Sequence, residues 1–248
     1  MKSKVLICTM IGMALAFSLH AQEMENSIAQ GDELYESMTD METAVQALKM
    51  YQQALGGDSM KYDAYWKIAR VQYYIGQHTS GKKDKQRIFS QAVYSAQKAI
   101  ELGPEKPDGH YWLGVNHGVF GEAKGVLKSL SLVKPIKAAM NKVIELDRSY
   151  GDGGPDRVLG RVYFKLPGMA GGDKDKSLEH LLKSIEYGPD DAVTRLYLGE
   201  TYLALGKIEE ARAELEYVMQ LPDSPLWTTD VAQSKADAQK LLQNKKFK

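Results

Sequence analysis

The sequence predicts an all-α protein built as a row of helical hairpins. Apolar residues recur at three- and four-residue spacing, and Gly or Pro closes each periodic stretch. The strand signal, alternating Val, Ile or Thr bounded by Asn-Gly turns, is missing. With 248 residues, 44% hydrophobic and 26% charged, the chain has ample length and apolar content for a buried core. Lys+Arg and Asp+Glu are both 32, so no basic excess points to nucleic acid and no polybasic block to an anionic membrane surface. A single Cys excludes a disulfide framework and a thiolate-rich zinc site.

The elements follow in order. Lys2 and Lys4 precede an apolar run from Val5 to Leu19, then Ser18, His20 and Ala21 lead into polar sequence. That is the pattern of a secretory signal peptide over residues 1–21, with cleavage expected after Ala21; a retained anchor is the alternative. The run is about 15 residues, short of the ~20 needed to span a bilayer as a helix. Cys8 has Ile7 before it where lipidation wants a small residue, so a lipoprotein is not expected. Residues 22–248 form the second segment, a helical repeat domain. A weak first unit runs from Gly31 and Leu34 to Ala47, Tyr51 and Ala54. Four clearer units follow, marked by Ala69 and Ala92, Gly114 and Val143, Gly160 and Ser184, and Gly199 and Ala211, giving four to five hairpins. Val231 to Leu242 reads as a C-terminal cap helix, as repeat arrays need at their ends.

This cadence resembles the tetratricopeptide repeat, whose period of about 34 residues places small residues where paired helices cross. Leu198, Gly199, Tyr202, Gly206, Ala211 and Leu215 fit that register best. Ala69, Gly114, Gly160, Gly199 and Ala211 are the helix-crossing positions, where a bulky side chain would push two backbones apart. From Gly199 to Ala211 the step is 12, but it is 23 from Ala69 to Ala92, 22 from Gly114 to Ile136 and 17 from Gly160 to Ser177. Insertions between the helices are therefore expected in three units. Tyr111-Trp112-Leu113-Gly114, Leu146 to Gly154, and Leu166-Pro167-Gly168 with Gly171-Gly172-Asp173 recur in an order that resembles the TatT family, over roughly residues 60 to 220. That family is the tetratricopeptide-like periplasmic component associated with some TRAP transporters. The resemblance implies a central pore, a TRAP-type solute-binding protein as partner, and a small organic acid or hydrophobic ligand.

Little in the sequence suggests catalysis, a cofactor or a metal. His110 and His117 could share a helix face, but further ligands are few. Asp173, Asp175 and Ser177 imitate a calcium loop without its central Gly or closing Glu. Gly151 to Gly154 and Gly171 to Lys174 follow no strand and are better read as turns, with Asp173 or Asp175 capping the helix that begins near Lys176. Gly114, Gly118, Gly121 and Gly125 crowd one stretch, where mid-helix Gly costs ~1 kcal/mol against Ala. A close approach, a bend beside a pore, or a helix ending near Gly121 would each account for them. Pro135 is expected near the start of the next helix.

One stripe carries the binding argument. Trp66, Arg70 and Tyr73 share a helix face, as do Tyr111, Val115 and Gly118; Arg157, Arg161 and Phe164; and Leu196, Glu200 and Leu203. Trp66, Arg70, Tyr73, Tyr111, Arg157, Arg161 and Phe164 are the candidate ligand-binding residues: aromatic faces supply apolar area, and guanidinium forks hold carboxylates. The competing reading makes Trp66 and Tyr111 core and pairs the arginines with neighbouring acids. Two functions fit: a periplasmic, non-catalytic transport accessory, or a general scaffold whose groove takes a peptide or an envelope protein. Neither needs nucleic acid or a transmembrane span in the mature chain, and either allows oligomers.

Overall fold

The computed structural model describes residues 22–222 and 228–247. The expected signal segment, Cys8 included, lies outside them. Among the described residues there are eleven α-helices and no strand: α1 (22–36), α2 (Met41–Ala54), α3 (Lys61–His78), α4 (Lys82–Leu102), α5 (Pro107–Lys124), α6 (Val126–Asp147), α7 (Tyr150–Lys165), α8 (Lys174–Tyr187), α9 (Ala192–Ala204), α10 (Ile208–Gln220) and α11 (Thr228–Leu242). They form two compact units, dividing between Pro104 and Glu105. No described helix is long and apolar enough to cross a membrane.

The first unit pairs α1 with α2 and α3 with α4. Asp40 starts α2 by accepting from the Thr43 amide at 2.8 Å, satisfying a donor the helix cannot. Tyr51, Ile68, Val71, Ile75 and Ile88 make its core, with Ala44 and Ala47 fully buried against them.

The second unit stacks three hairpins, α5–α6, α7–α8 and α9–α10, and α11 packs over α9 and α10 at the expected cap position. Pro107 opens α5, where its missing N–H is harmless. The first helices of successive hairpins, α5, α7 and α9, touch one another in turn and so present one wall. Behind them, Tyr111, Ile136, Met140, Val143 and Leu159 form one core cluster; Leu196, Leu215, Val218, Ala238 and Phe247 form another.

The helix crossings repeat one geometry. A Cβ added to Gly31 would meet Tyr51 at 2.5 Å, to Gly114 Met140 at 2.3 Å, to Gly160 Leu181 at 2.7 Å and to Gly199 Leu215 at 2.7 Å. In each case the roofing side chain lies four residues beyond the aligned position on the second helix (Ala47, Ile136, Ser177, Ala211), one turn further along the same face. Ala69 and Ala92 hold the equivalent positions of α3–α4 and are fully buried.

The expected insertions are mostly helix. α3, α4, α5 and α6 have 18, 21, 18 and 22 residues, against 13 each for α9 and α10. Only residues 79–81 join α3 to α4, and Gly125 alone joins α5 to α6 at φ 98°. Added residues gain backbone hydrogen bonds inside a helix that a loop would leave to water. Two expectations therefore change: α5 runs past Gly121 to Lys124, and Pro135 sits well inside α6 rather than in its first turn. Gly121 lies close to Ser129, whereas a Cβ on Gly118 would meet nothing within 4 Å.

Between α7 and α8 the extra residues do form a loop, and it is tightly tied. Gly172 donates to the Pro167 carbonyl at 3.0 Å, and Asp173 donates to Tyr163 at 3.0 Å. Asp173 caps α8 through the Asp175 and Lys176 amides. At the start of α7, Gly151, Asp152 and Gly153 make a left-handed turn, φ 58°, 57° and 75°, seated against the end of α8, where a Cβ on Gly153 would strike the Ser184 backbone at 2.5 Å.

Candidate functional site

The stripe resolves into two separate clusters of aromatic and cationic side chains, one in each unit. In the first, Asp32 of α1 is the hub. It accepts from Lys67 at 2.6 and 2.7 Å and from the Tyr51 hydroxyl at 2.8 Å. Arg70 donates to the Tyr51 oxygen at 3.1 Å and lies 3.5 Å from the Asp32 carboxylate. Its guanidinium sits 3.7 Å from the Tyr35 ring centre and 5.0 Å from that of Trp66, whose other cationic neighbour is Lys67 at 4.6 Å. Trp66 donates its indole N–H to Asp63 at 3.1 Å. Burial pushes the Tyr51 phenol well above its ordinary range, so it stays a donor to Asp32. Tyr73 is half-buried on α3, three residues past Arg70.

In the second unit the wall is built by α5, α7 and α9. Arg157 donates to the Tyr111 hydroxyl at 3.1 Å and lies 3.2 Å from Asp191, the residue that also caps α9 through the Thr194 amide at 2.7 Å. Burial works against the Arg157 charge, but Asp191 and the Tyr111 oxygen outweigh it and hold the guanidinium protonated. Arg161 pairs with Glu200 and lies 4.0 Å from the Tyr197 ring centre and 5.4 Å from that of Phe164. Lys174 covers the other approach to Phe164 at 3.7 Å and donates to its carbonyl. Burial, with Arg161 and Lys165 nearby, lowers the Lys174 ammonium from its usual value.

Several expectations need correcting. Tyr111 is core: 7% exposed, it packs edge-on to Trp112 and against Tyr150, so only its hydroxyl serves the wall. Arg157 and Arg161 already hold Asp191 and Glu200, as the competing reading had it, so neither is an open fork. Leu196 and Leu203 are buried, so of the stripe read on α9 only Glu200 reaches the wall, beside Tyr197 three residues before it. Asp191, cap of α9 and partner of Arg157, was missed in the sequence. Asp32 and Tyr35 belong to a hairpin whose sequence signal was weak, and Lys67, beside Trp66 on α3, lies off the stripe that was read.

A further polar cluster had no sequence signal. Asp156, fully buried, accepts from Arg148 at 2.8 and 3.1 Å and bonds the His180 ring at 2.8 Å. Burial alone would raise its carboxyl, but the bonds from His180 and Arg148 prevail and lower it. His117 is pushed below its ordinary range by burial and Lys124, which keeps it neutral. Among the described residues no group of three His, Cys, Asp or Glu is placed to hold a metal.

Stacked helical hairpins crossing at small residues, with a wall of first helices, define a tetratricopeptide-type repeat protein. A tetratricopeptide repeat model matches residues 180–213. The crystal structure of a thermophilic protein of this type from Thermus thermophilus shares the fold, with TM-score 0.64 at 18% identity over 88% of this chain and 99% of that one. More narrowly, the family described as Regulator of microtubule dynamics protein 1-3 matches residues 27–153, just over half of the chain, and the chain belongs to that family. Regulator of microtubule dynamics protein 3 from Rattus norvegicus and from Mus musculus are 24% and 25% identical to it over 219 residues, 82% of this chain and 45% and 46% of theirs. The chain thus spans about half the length of the curated relatives it matches. The repeat superfamily expected from sequence stands, while these matches lend nothing to the narrower TatT resemblance.

Proposed function

We propose that the protein is a non-catalytic scaffold that holds a segment of another protein against the wall of α5, α7 and α9. The observation that carries this is the state of the wall's arginines. Arg161 lies beside the Tyr197 and Phe164 rings with its charge met by Glu200, and Arg157 is met by Asp191. A wall of aromatic rings and closed ion pairs suits peptide backbone and apolar side chains, which need area and a few hydrogen bonds rather than net charge. Gly118 leaves open space beside it. The relatives are named as regulators of microtubule dynamics; what we carry over is a protein as partner. The TatT-like reading, a TRAP-associated accessory holding a small organic acid, fits the wall less well, because such a ligand would have to displace Asp191 or Glu200. Export with cleavage after Ala21 is part of the proposal, and a mature chain beginning at Gln22 is the expected N-terminal sequence.

The test is selection of phage-displayed random dodecapeptides on the full chain. Enriched peptides are expected to lose at least tenfold in affinity on Tyr197→Ala and on Gly118→Leu, with helical circular dichroism unchanged. Equal binding to both variants would overturn the reading. Retention of a stoichiometric small carboxylate in native mass spectrometry, lost on Arg157→Ala, would restore the transport reading.

A further inference from the structure

A second surface of the same unit has a different chemistry. Leu130, Val133, Lys134 and Lys137 form one stripe of α6, at i, i+3, i+4 and i+7. With Met169 and Ala170 of the α7–α8 loop they line an open groove of about 530 Å³. Its rim is apolar where apolar surface is least expected: Leu130 is 38% exposed and Met169 98%.

Two features separate this surface from a stray exposed methionine. The loop that presents Met169 is fixed. Besides the two bonds tying residues 172 and 173 to Pro167 and Tyr163, Gly171 donates to Gly168 at 2.9 Å, and a Cβ on Gly172 would strike the Leu166 carbonyl oxygen at 1.9 Å. With the backbone already fixed, only the rotamers of Met169 remain to be ordered when it is covered. The lysines are also unneutralised. Elsewhere in this unit Lys142 pairs with Glu105 and Glu145, at 3.2 and 3.1 Å, and Lys183 pairs with Glu186 at 2.8 Å. Among the described residues Lys134, Lys137 and Lys176 have no such carboxylate. Lys137 and Lys176 instead approach the single ring of Tyr163, at 3.8 and 5.7 Å from its centre. A ring contact leaves the Lys137 charge unneutralised, so an anion placed against Lys134 and Lys137 meets uncompensated positive charge.

We propose that the groove between α6 and the α7–α8 loop docks an acidic linear segment of a partner protein, with a bulky apolar side chain of that segment seated between Leu130, Val133 and Met169. The carboxylates of the segment lie against Lys134 and Lys137. This surface is independent of the wall and widens the scaffold to two contacts of different character: one whose arginines already hold carboxylates, one whose lysines do not.

The probe is a fluorescein-labelled synthetic peptide with a Leu-Phe pair flanked by glutamates, titrated into the full chain by fluorescence anisotropy. Saturable binding is expected, weakened at least tenfold by Lys134→Glu with Lys137→Glu and at least fivefold by Met169→Asp, and lost when lysines replace the peptide's glutamates. Met169 is fully in water, so Met169→Asp leaves folding intact and serves as the readout if the double variant folds poorly. Dodecapeptides selected on the wall bind the double lysine variant as they bind wild type, which keeps failure here distinct from failure there. Equal affinity of the acidic peptide for wild type and Met169→Asp overturns the proposal. So does binding to phosphatidylserine vesicles in place of the peptide, or a dimer in sedimentation that Met169→Asp dissolves.

Discussion

The two aromatic clusters start from one sequence pattern and end in different electrostatic states. In the second unit each wall arginine has its own carboxylate, Asp191 for Arg157 and Glu200 for Arg161. In the first, Lys67 and Arg70 share Asp32. A shared i, i+4, i+7 helix face therefore fixes where a guanidinium sits, but not whether it is neutralised. The partner comes from another helix. Asp191 is present because α9 needs a cap, and Asp32 is present on α1 nineteen residues before Tyr51. The two clusters therefore differ in how their cations are paired: two share one carboxylate in the first, and each arginine has its own in the second.

The largest effect that tests this contrast belongs to Asp156, which has no counterpart in the first cluster. Asp156→Asn leaves Arg148 and His180 facing a neutral amide, and the loss should be about 3 kcal/mol, the low end for a buried pair because Arg148 is 38% exposed. Hydrogen exchange read by mass spectrometry should show faster exchange across α7 and α8 while α1–α4 are unchanged. Acid should do the same to wild type. The Asp156 carboxyl is lowered in the folded state, so its contribution is complete above the unfolded value of 3.8 and is lost as pH falls through the lower folded value. Opening of α1–α4 first as pH falls below that value would contradict the assignment.

Next in size is Arg157→Ala, which strands Asp191 and removes the donor to the Tyr111 hydroxyl. Both ion-pair partners are partly buried, and a loss of about 2 kcal/mol in the second unit is expected. Asp32→Asn should cost the first unit less, about 1 kcal/mol, because Asp32 is a third exposed and Asn still accepts from Tyr51. Yet it should increase binding of small anions to the first unit, read by chloride-dependent stability, since Lys67 and Arg70 lose their shared counter-charge. No change in salt dependence would mean that solvent already screens the pair.

What the sequence made legible follows from the range of the forces. Hairpin number, the cap helix and the crossing glycines depend on local period and on residue size, and each stands where its residues placed it. The lengths of α3 to α6 were misjudged because a spacing excess does not say whether the added residues are helix or loop; the short links at residues 79–81 and at Gly125 decide that. The wall of α9 was misread in part: Glu200 meets Arg161 as its place in the stripe implies, but Leu196 and Tyr197 both suit an apolar face and only packing chooses between them. The Arg148–Asp156–His180 cluster joins residues from separate elements with no spacing rule between them, so nothing in one sequence could announce it.

The smallest effect separates glycines kept for packing from one kept for space. Gly160 has Leu181 where its Cβ would be, at 2.7 Å, with the Ser177 carbonyl oxygen at 3.2 Å, so Gly160→Ala forces two helices apart and should cost about 1–3 kcal/mol. Gly118 has nothing within 4 Å and lies inside α5 at helical geometry. Gly118→Ala should therefore stabilise the second unit by up to ~1 kcal/mol, the helix-propensity difference, which is about 2–4 °C in Tm for a protein of this size. A stabilising Gly118→Ala with weakened binding of wall-selected peptides would mean that the glycine gives up stability to keep the wall open. A stabilising substitution with binding intact would make the opening incidental and leave Tyr197 and Phe164 as the whole of the contact.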